Sequence, residues 1–371
     1  MIGRNTPAWR EQQAFFRMAA HTIGRMPGRF GVARLLGASY SLRCVVFHHT
    51  AAAESPFTGG INVTTTPDLL EAKLKFLVRN YTPVRFQDVL DHGENRSLPP
   101  RAVLVTFDDA YASVIHTAAP LCARYGVPAV FFVNAAFLDN RQLAPDNLVC
   151  YVANTSGMGA VNAAAQAVRG QGTFVIRSLS DVFTRFFPAI SLSERKAFLD
   201  ALARLAGVDG RALAEEVQLY ATSEQIGQLA NPDFEIGNHT HTHVHCRCLS
   251  PAEIQEEVDQ NQAVLEKLSG RKVRSLSVPY GSSADLTTDL VQHLRGAGYR
   301  AAFLSESLAN SAGADLFHLD RVSSLTTQDD TFFLELEVLP RIRVLRNRFF
   351  PSREKDSRVI SRQDEQRAFC A

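Results

Sequence analysis

Residues 101–107, RAVLVTF, run straight into Asp108-Asp109, and residues 127–133, VPAVFFV, follow after a helix-like stretch. Both segments are apolar and β-branched, the pattern of strands buried on two faces. Between them Leu121 and Tyr125 mark a helix. Pro120 is tolerable in its first turn, and Gly126 stops it. Strand, helix and strand in this order signal a parallel sheet with helices outside.

The same grammar extends in both directions. Residues 42–47 (LRCVVF) read as a buried strand ending at His48-His49. Thr66-Pro67-Asp68 opens a helix in which Leu69, Leu70, Leu74 and Leu77 recur at helical spacing. Further strands are expected at 234–237, 273–278, 300–304 and 316–322, with helices at about 251–268 and 285–297. Roughly seven strand–helix units suggest a barrel more than an open sheet, and barrels carry chemistry at the C-terminal ends of their strands. His48, Asp108, Asp109, His239 and Tyr280 gather at those ends. Residues 140–225 differ: they are Ala-rich, with helical patterning at 193–206 and 210–219, and read as a helical insertion between two strands.

Net charge is +1, but residues 1–43 carry about +6 and residues 341–367 about +5, which leaves an acidic body of about −10. Basic ends suit anionic lipid. Residues 8–36 read as a basic amphipathic helix or two, able either to lie on a membrane surface or to pack against the domain. No nucleic-acid motif accompanies the charge, so no nucleic-acid partner is expected. Arg17 and Arg25 interrupt the N-terminal apolar runs, so no signal peptide is read there, and no stretch reaches a membrane span. A cytoplasmic protein is the expectation, and its basic ends have two readings, solvated tails or peripheral contact with an anionic membrane. Cysteines at 44, 122, 150, 246, 248 and 370 then read as reduced thiols. The division expected is a basic helical segment over 1–41, a catalytic domain over 42–340 and a basic tail over 341–371, polar beyond about 350.

Three motifs carry candidate chemistry. In TFDDAY (106–111) two adjacent carboxylates end a buried strand, which is costly unless a cation shares them. One can hold a metal while its neighbour faces substrate as a base. In NHTHTHVHCRC (238–248) four alternating histidines precede two cysteines. Three arrangements are open: four imidazoles on one strand face, pairs at a spacing of four across a turn, or a His/Cys zinc knot. In SVPYGSS (277–283) a strand ends in a Pro-Tyr-Gly turn that lets backbone approach a ligand closely.

Together and in this order, the motifs resemble the polysaccharide deacetylase family, carbohydrate esterases with the NodB homology domain. TFDDAY is similar to its T-F-D-D-G-Y, HTHTH to its H-[ST]-x-x-H, and VPYG to its P-Y-G turn. VVFHH and TPVRFQDVL resemble a branch acting on exopolysaccharides. The resemblance covers about 42–137 and 222–325 and implies a distorted (β/α) barrel of the NodB type carrying the helical insertion.

It also implies roles. Asp109, His239 and His243 would bind a divalent metal, zinc being the natural choice for two imidazoles and a carboxylate. Asp108 would be the general base toward the attacking water, acting on an N-acetyl group of a hexosamine. A backbone N–H near Tyr280 would stabilise the oxyanion, and a histidine would protonate the leaving amine. His48 ranks above His318 for that last task, because LFHLD separates His318 from Asp320 where the family has L-x-H-D. The family often has Arg two residues before the Pro of the third motif. Ser277 stands there, and Arg321 in HLDRV is the candidate replacement. Ala110 takes the place of the family's Gly. His241, His245, Cys246 and Cys248 have no family role. The alternatives are a carbohydrate-binding protein without turnover, a hydrolase of another C–N bond such as a cyclic imide, and a structural zinc protein.

Overall fold

The computed structural model describes residues 40–93, 97–170, 174–311, 313–324 and 329–349. The amphipathic segment expected within 8–36 and the tail beyond 350 lie outside the described residues.

Between Tyr40 and Asp329 the chain forms one compact unit around a ten-stranded sheet. β1 (Tyr40–Phe47) pairs in parallel with β5 (Ala102–Phe107), which pairs in parallel with β6 (Ala129–Val133). The series continues through β7 (Phe234–Asn238), β8 (Ser275–Ser277), β9 (Ala301–Leu304) and β11 (Leu319–Asp320). β12 (Val322–Ser323) then pairs with β1, at Val45 with Val322. Because β11 and β12 are consecutive, the sheet closes on itself through the single residue between them, Arg321. β10 (Asn310–Ser311) runs antiparallel to β1, and β4 (Thr82–Pro83) adds to β5. A separate short pair joins β2 (His49–Thr50) to β3 (Thr64–Thr65).

The strands are long in β-branched and aromatic residues because both faces are covered. Every residue of AVLVTF in β5 and of AVFFV in β6 is buried. A buried core cluster joins Leu42, Leu104, Val130, Phe132 and Phe303 of the strands with Phe86 and Val89. Gly237 is required in β7, where an added Cβ would lie 2.4 Å from the Phe132 ring.

Helices start and stop where local chemistry directs. α1 (Pro67–Asn80) has Thr66 as N-cap and Pro67 in its first turn. α2 (Phe86–Gly93) follows, and α3 (Ala119–Tyr125) ends at Gly126 in the left-handed conformation. Between β6 and β7 come α4 (Pro145–Thr155), α5 (Met158–Arg169), α6 (Leu192–Ala206), α7 (Gly210–Val217) and α8 (Ser223–Leu229). α9 (Pro251–Ser269) and α10 (Thr288–Gly296) return the chain between later strands. Ser191 with Glu194, and Ser250 with Glu253, close capping boxes on α6 and α9.

One expected strand is corrected. Residues 316–322 are not continuous: Leu316–His318 form a turn of 3-10 helix ahead of β11. Asp315 is the cause, since its side chain accepts from the Phe317 N–H and its carbonyl from the His318 N–H. From residue 330 the chain belongs to a second unit. Its described residues lie on α11 (Asp329–Glu337) and α12 (Leu339–Phe349), where Arg341 and Glu337 form a buried pair at 2.7 Å.

Candidate active site

Asp108 and Asp109 follow β5 directly and meet different partners. Asp108 is buried, and its backbone N–H continues the ladder to the Phe47 carbonyl at 3.0 Å. Its Oδ1 accepts from Arg321 at 2.7 Å and its Oδ2 from the other arm of the same guanidinium at 2.8 Å. Ser277 Oγ donates to Oδ2 at 3.1 Å. Burial pushes the Asp108 carboxyl up, but Arg321 and then His239 outweigh it and hold the group below the usual carboxylate range. Asp109 turns away through a left-handed φ of 72°, followed by Ala110 at 52°. That is the backbone that Gly adopts freely where the family motif has it.

The histidine run is neither strand nor helix. β7 stops at Asn238, and residues 239–245 form an irregular loop. Thr240 and His243 take left-handed φ of 59° and 54°. Thr240 Oγ1 accepts from the Val244 N–H at 3.4 Å, tying the loop across its own turn. Glu257 on α9 accepts from the Thr242 backbone and hydroxyl at 2.8 and 2.6 Å. Arg195 on α6 donates to the His243 carbonyl at 2.7 Å. The Asn134 side chain donates to the His239 and Thr240 carbonyls.

This loop turns His239 and His243 toward one point. Their Nε2 atoms lie 3.3 and 3.6 Å from Asp109 Oδ1. Ligands about 2.0–2.2 Å from one ion in a tetrahedron are separated by about 3.3–3.6 Å, so the spacing fits a common ion. The protonation pattern fits as well. His239 Nδ1 lies 2.7 Å from the Ser277 carbonyl, which can only accept, so Nδ1 carries the proton and Nε2 keeps its lone pair. His243 Nδ1 lies 2.6 Å from Asp146 Oδ2, so in the neutral ring the proton sits on Nδ1 and Nε2 has the lone pair. Burial lowers the His243 pKa, but Asp146 and then Asp109 outweigh it and raise it. Among the described residues this trio is the group of His, Cys, Asp and Glu side chains able to hold a metal ion. Burial raises the Asp109 pKa, but the neighbouring imidazoles of His239, His243 and His48 outweigh it and hold the carboxyl below its usual range.

The remaining histidines and cysteines separate from the trio. His245 is buried, with Nδ1 3.0 Å from Asp285 and Nε2 2.8 Å from the Phe183 carbonyl, and it stacks on Tyr280 at 3.8 Å. The sequence alone assigns it no such place. Cys246 and Cys248 face the Val244 and Pro188 carbonyls. Burial pushes the Cys248 thiol up to about 11. His318 is 55% exposed beside Asp315 and does not line the cavity.

The trio opens on a cavity of about 360 Å³, lined also by His48, Asp108, Tyr280, Arg321, Asp146 and Phe183. Tyr280 has a left-handed φ of 61°, and Gly281 after it is packed so that an added Cβ would lie 2.4 Å from Ser305 Cβ. Burial lowers the His48 pKa, with Asp109 and Asp108 opposing. A larger depression of about 840 Å³ lies elsewhere, around Leu42, Tyr299 and Phe317, and contains none of these groups. Asp146 is the residue that the sequence does not reveal. Ala144-Pro145-Asp146 reads as an ordinary helix start, with Pro and an acid in the first turn, and nothing local points to chemistry.

Chemically, the cavity offers two imidazoles and a carboxylate for a cation, with a second, ionised carboxylate beside them. That composition suits hydrolysis of an acyl bond.

Comparison with known proteins agrees. The family model described as polysaccharide deacetylase matches residues 95–172 and 186–302, more than half of the chain. No curated protein matches it. Among solved structures, the deacetylase PplD of Streptococcus pyogenes, in complex with acetate, is 14% identical, with a TM-score of 0.54 over 81% of this chain and 100% of that one. IcaB from Ammonifex degensii is 18% identical, with a TM-score of 0.51 over 81% and 98%. A de-N-acetylase from Aggregatibacter actinomycetemcomitans is 16% identical, with a TM-score of 0.52 over 80% and 99%. At such identities the likeness is one of fold. Motifs, barrel and family match converge: the chain belongs to the polysaccharide deacetylase family.

Proposed function

We propose that this deacetylase hydrolyses N-acetyl groups on hexosamine units of a polysaccharide or oligosaccharide, using a divalent metal held by Asp109, His239 and His243. Zinc suits this donor set best. The observation that carries the reading is the meeting of Asp109 Oδ1 with the Nε2 atoms of His239 and His243, beside a second carboxylate gripped by Arg321. When bound, the cation supplies Lewis acidity toward an amide carbonyl and a water.

The chain's own groups divide the rest. Asp108 accepts the proton of the attacking water. Its lowered pKa keeps it ionised, and a carboxylate with roughly four lone-pair positions still has one to spare after its bonds to Arg321 and Ser277. Arg321 holds the base in orientation, the task given to the Arg that Ser277 replaces. A backbone N–H near Tyr280 is the proposed donor to the developing oxyanion. His48, which lines the cavity, is the proposed donor of a proton to the leaving amine. The basic ends of the chain are proposed to keep the protein at an anionic membrane surface. No described helix is long and apolar enough to cross one.

The test is acetate release from N-acetylglucosamine oligomers by the full chain, with zinc, with chelator, and with zinc restored. Release that chelator abolishes and zinc returns supports the reading. Zinc stoichiometry unchanged by Asp109→Ala would refute the site. Bound zinc without release from any N-acetylated hexosamine polymer would favour a binding protein without turnover.

A further inference from the structure

Asp146 is the cavity carboxylate to which the mechanism assigns no task. It does not come from the barrel. It lies in the first turn of α4, inside the helical segment between β6 and β7. Its two oxygens are divided between two site residues. Oδ2 lies 2.6 Å from His243 Nδ1, and Oδ1 accepts from the Tyr280 hydroxyl at 2.9 Å.

The fold does not draw on this carboxylate to anchor α4. The Ala144 N–H donates to the Tyr220 hydroxyl at 2.8 Å, and that hydroxyl donates to Asn147 Oδ1 at 2.5 Å. The Asn147 amide in turn donates to the Phe57 carbonyl at 2.9 Å and the Tyr111 hydroxyl at 3.0 Å. A buried network thus fixes the start of α4 and leaves both Asp146 oxygens to the site.

Its partners need support. His243 and Tyr280 both hold left-handed φ, 54° and 61°, a conformation that persists in a non-glycine residue only where the surroundings enforce it. Their rings lie 4.8 Å apart. A neutral imidazole has one N–H, and a carboxylate at Nδ1 decides that it sits there. Nε2, the atom 3.6 Å from Asp109, is thereby left with its lone pair.

We propose that Asp146 is a positioning residue supplied by the helical insertion. It sets the tautomer and orientation of His243 and fixes Tyr280 against it, so that barrel and insertion build the active centre jointly. The effect on metal binding rests on His243 being a ligand; the effect on the tautomer does not.

The experiment compares the full-length wild type with Asp146→Ala and Asp146→Asn. In the metal-free proteins, long-range ¹H–¹⁵N correlation reads the His243 tautomer. The expected wild-type form is Nδ1–H, and Asp146→Ala shifts it toward Nε2–H. Zinc titration then reads affinity, with a loss of about 10–100-fold expected for Asp146→Ala, and with Asp146→Asn at the lower end. Thermal melting close to wild type separates this from a folding role. An unchanged tautomer together with unchanged zinc affinity overturns the proposal. If Asp146→Ala does not fold, Asp146→Leu, which is closer in volume and offers no acceptor to His243 Nδ1, decides by the same readouts. If the wild type binds no zinc, the metal reading fails, and the tautomer comparison still decides the part played by Asp146.

Discussion

Arg321 grips Asp108 with both arms of its guanidinium, at 2.7 and 2.8 Å, across 213 residues of sequence. The arginine is 1% exposed. Its Nε donates to the Leu304 carbonyl, and its other donors reach Thr106, Ser277 and Ser305 hydroxyls. A guanidinium buried so deeply is tolerable because its fork of donors is filled. It stands in the link between β11 and β12, where the barrel closes, so the same residue seals the sheet and holds the proposed base.

Removing that cation strands a buried carboxylate. Arg321→Met is expected to cost about 3–5 kcal/mol, read as a lowered denaturant midpoint. Arg321→Lys keeps the charge but not the fork, and should lose activity even where it folds. A stability loss under 1 kcal/mol for Arg321→Met would show that the pair does not support the barrel.

The same pair sets a pH dependence with a definite sign. The folded Asp108 pKa is lowered below its unfolded value. The stability it contributes is therefore present above the unfolded carboxyl value of about 3.9 and lost as pH falls through the folded value. Wild-type stability should decline on acidification below about pH 4. Arg321→Met should show a shallower decline in that window, measured by chemical denaturation of metal-free protein at a series of pH values.

Asp108→Asn separates base from ligand. The amide keeps the shape but cannot take a proton. Zinc stoichiometry should hold while the rate of acetate release falls by about 10²–10⁴. Retained turnover would remove Asp108 from the role of base.

The cysteines beside the histidine run should be dispensable for metal. With its pKa at about 11, the Cys248 thiol stays protonated at neutral pH, and burial raises the Cys246 pKa as well. Thiols in that state are poor ligands. Cys246→Ser with Cys248→Ser should leave zinc content unchanged by elemental analysis. Loss of zinc would revive the His/Cys knot.

The sequence by itself determined the local elements and the motif residues. Apolar β-branched runs, Thr66-Pro67, Gly126 and Ser250 with Glu253 each act within a few residues, so their strands, caps and stops could be read directly. Asp108-Asp109 and the histidine run were legible for the same reason: their chemistry is concentrated in short stretches. The resemblance to a family then chose the spacing of four over the other arrangements. Ser277 looked like a gap in the motif, and Arg321 was one candidate to fill it. Only the closed barrel brings the guanidinium to within 2.8 Å of Ser277 Oγ. Asp146 carried no local signal at all, and the place of His245 within the histidine run did not show its packing on Tyr280. A helix start with Pro and Asp is the same string whether its carboxylate meets solvent or His243. That choice depends on how a segment between two strands folds back over the barrel mouth, and contacts across such sequence distances leave no periodicity to read.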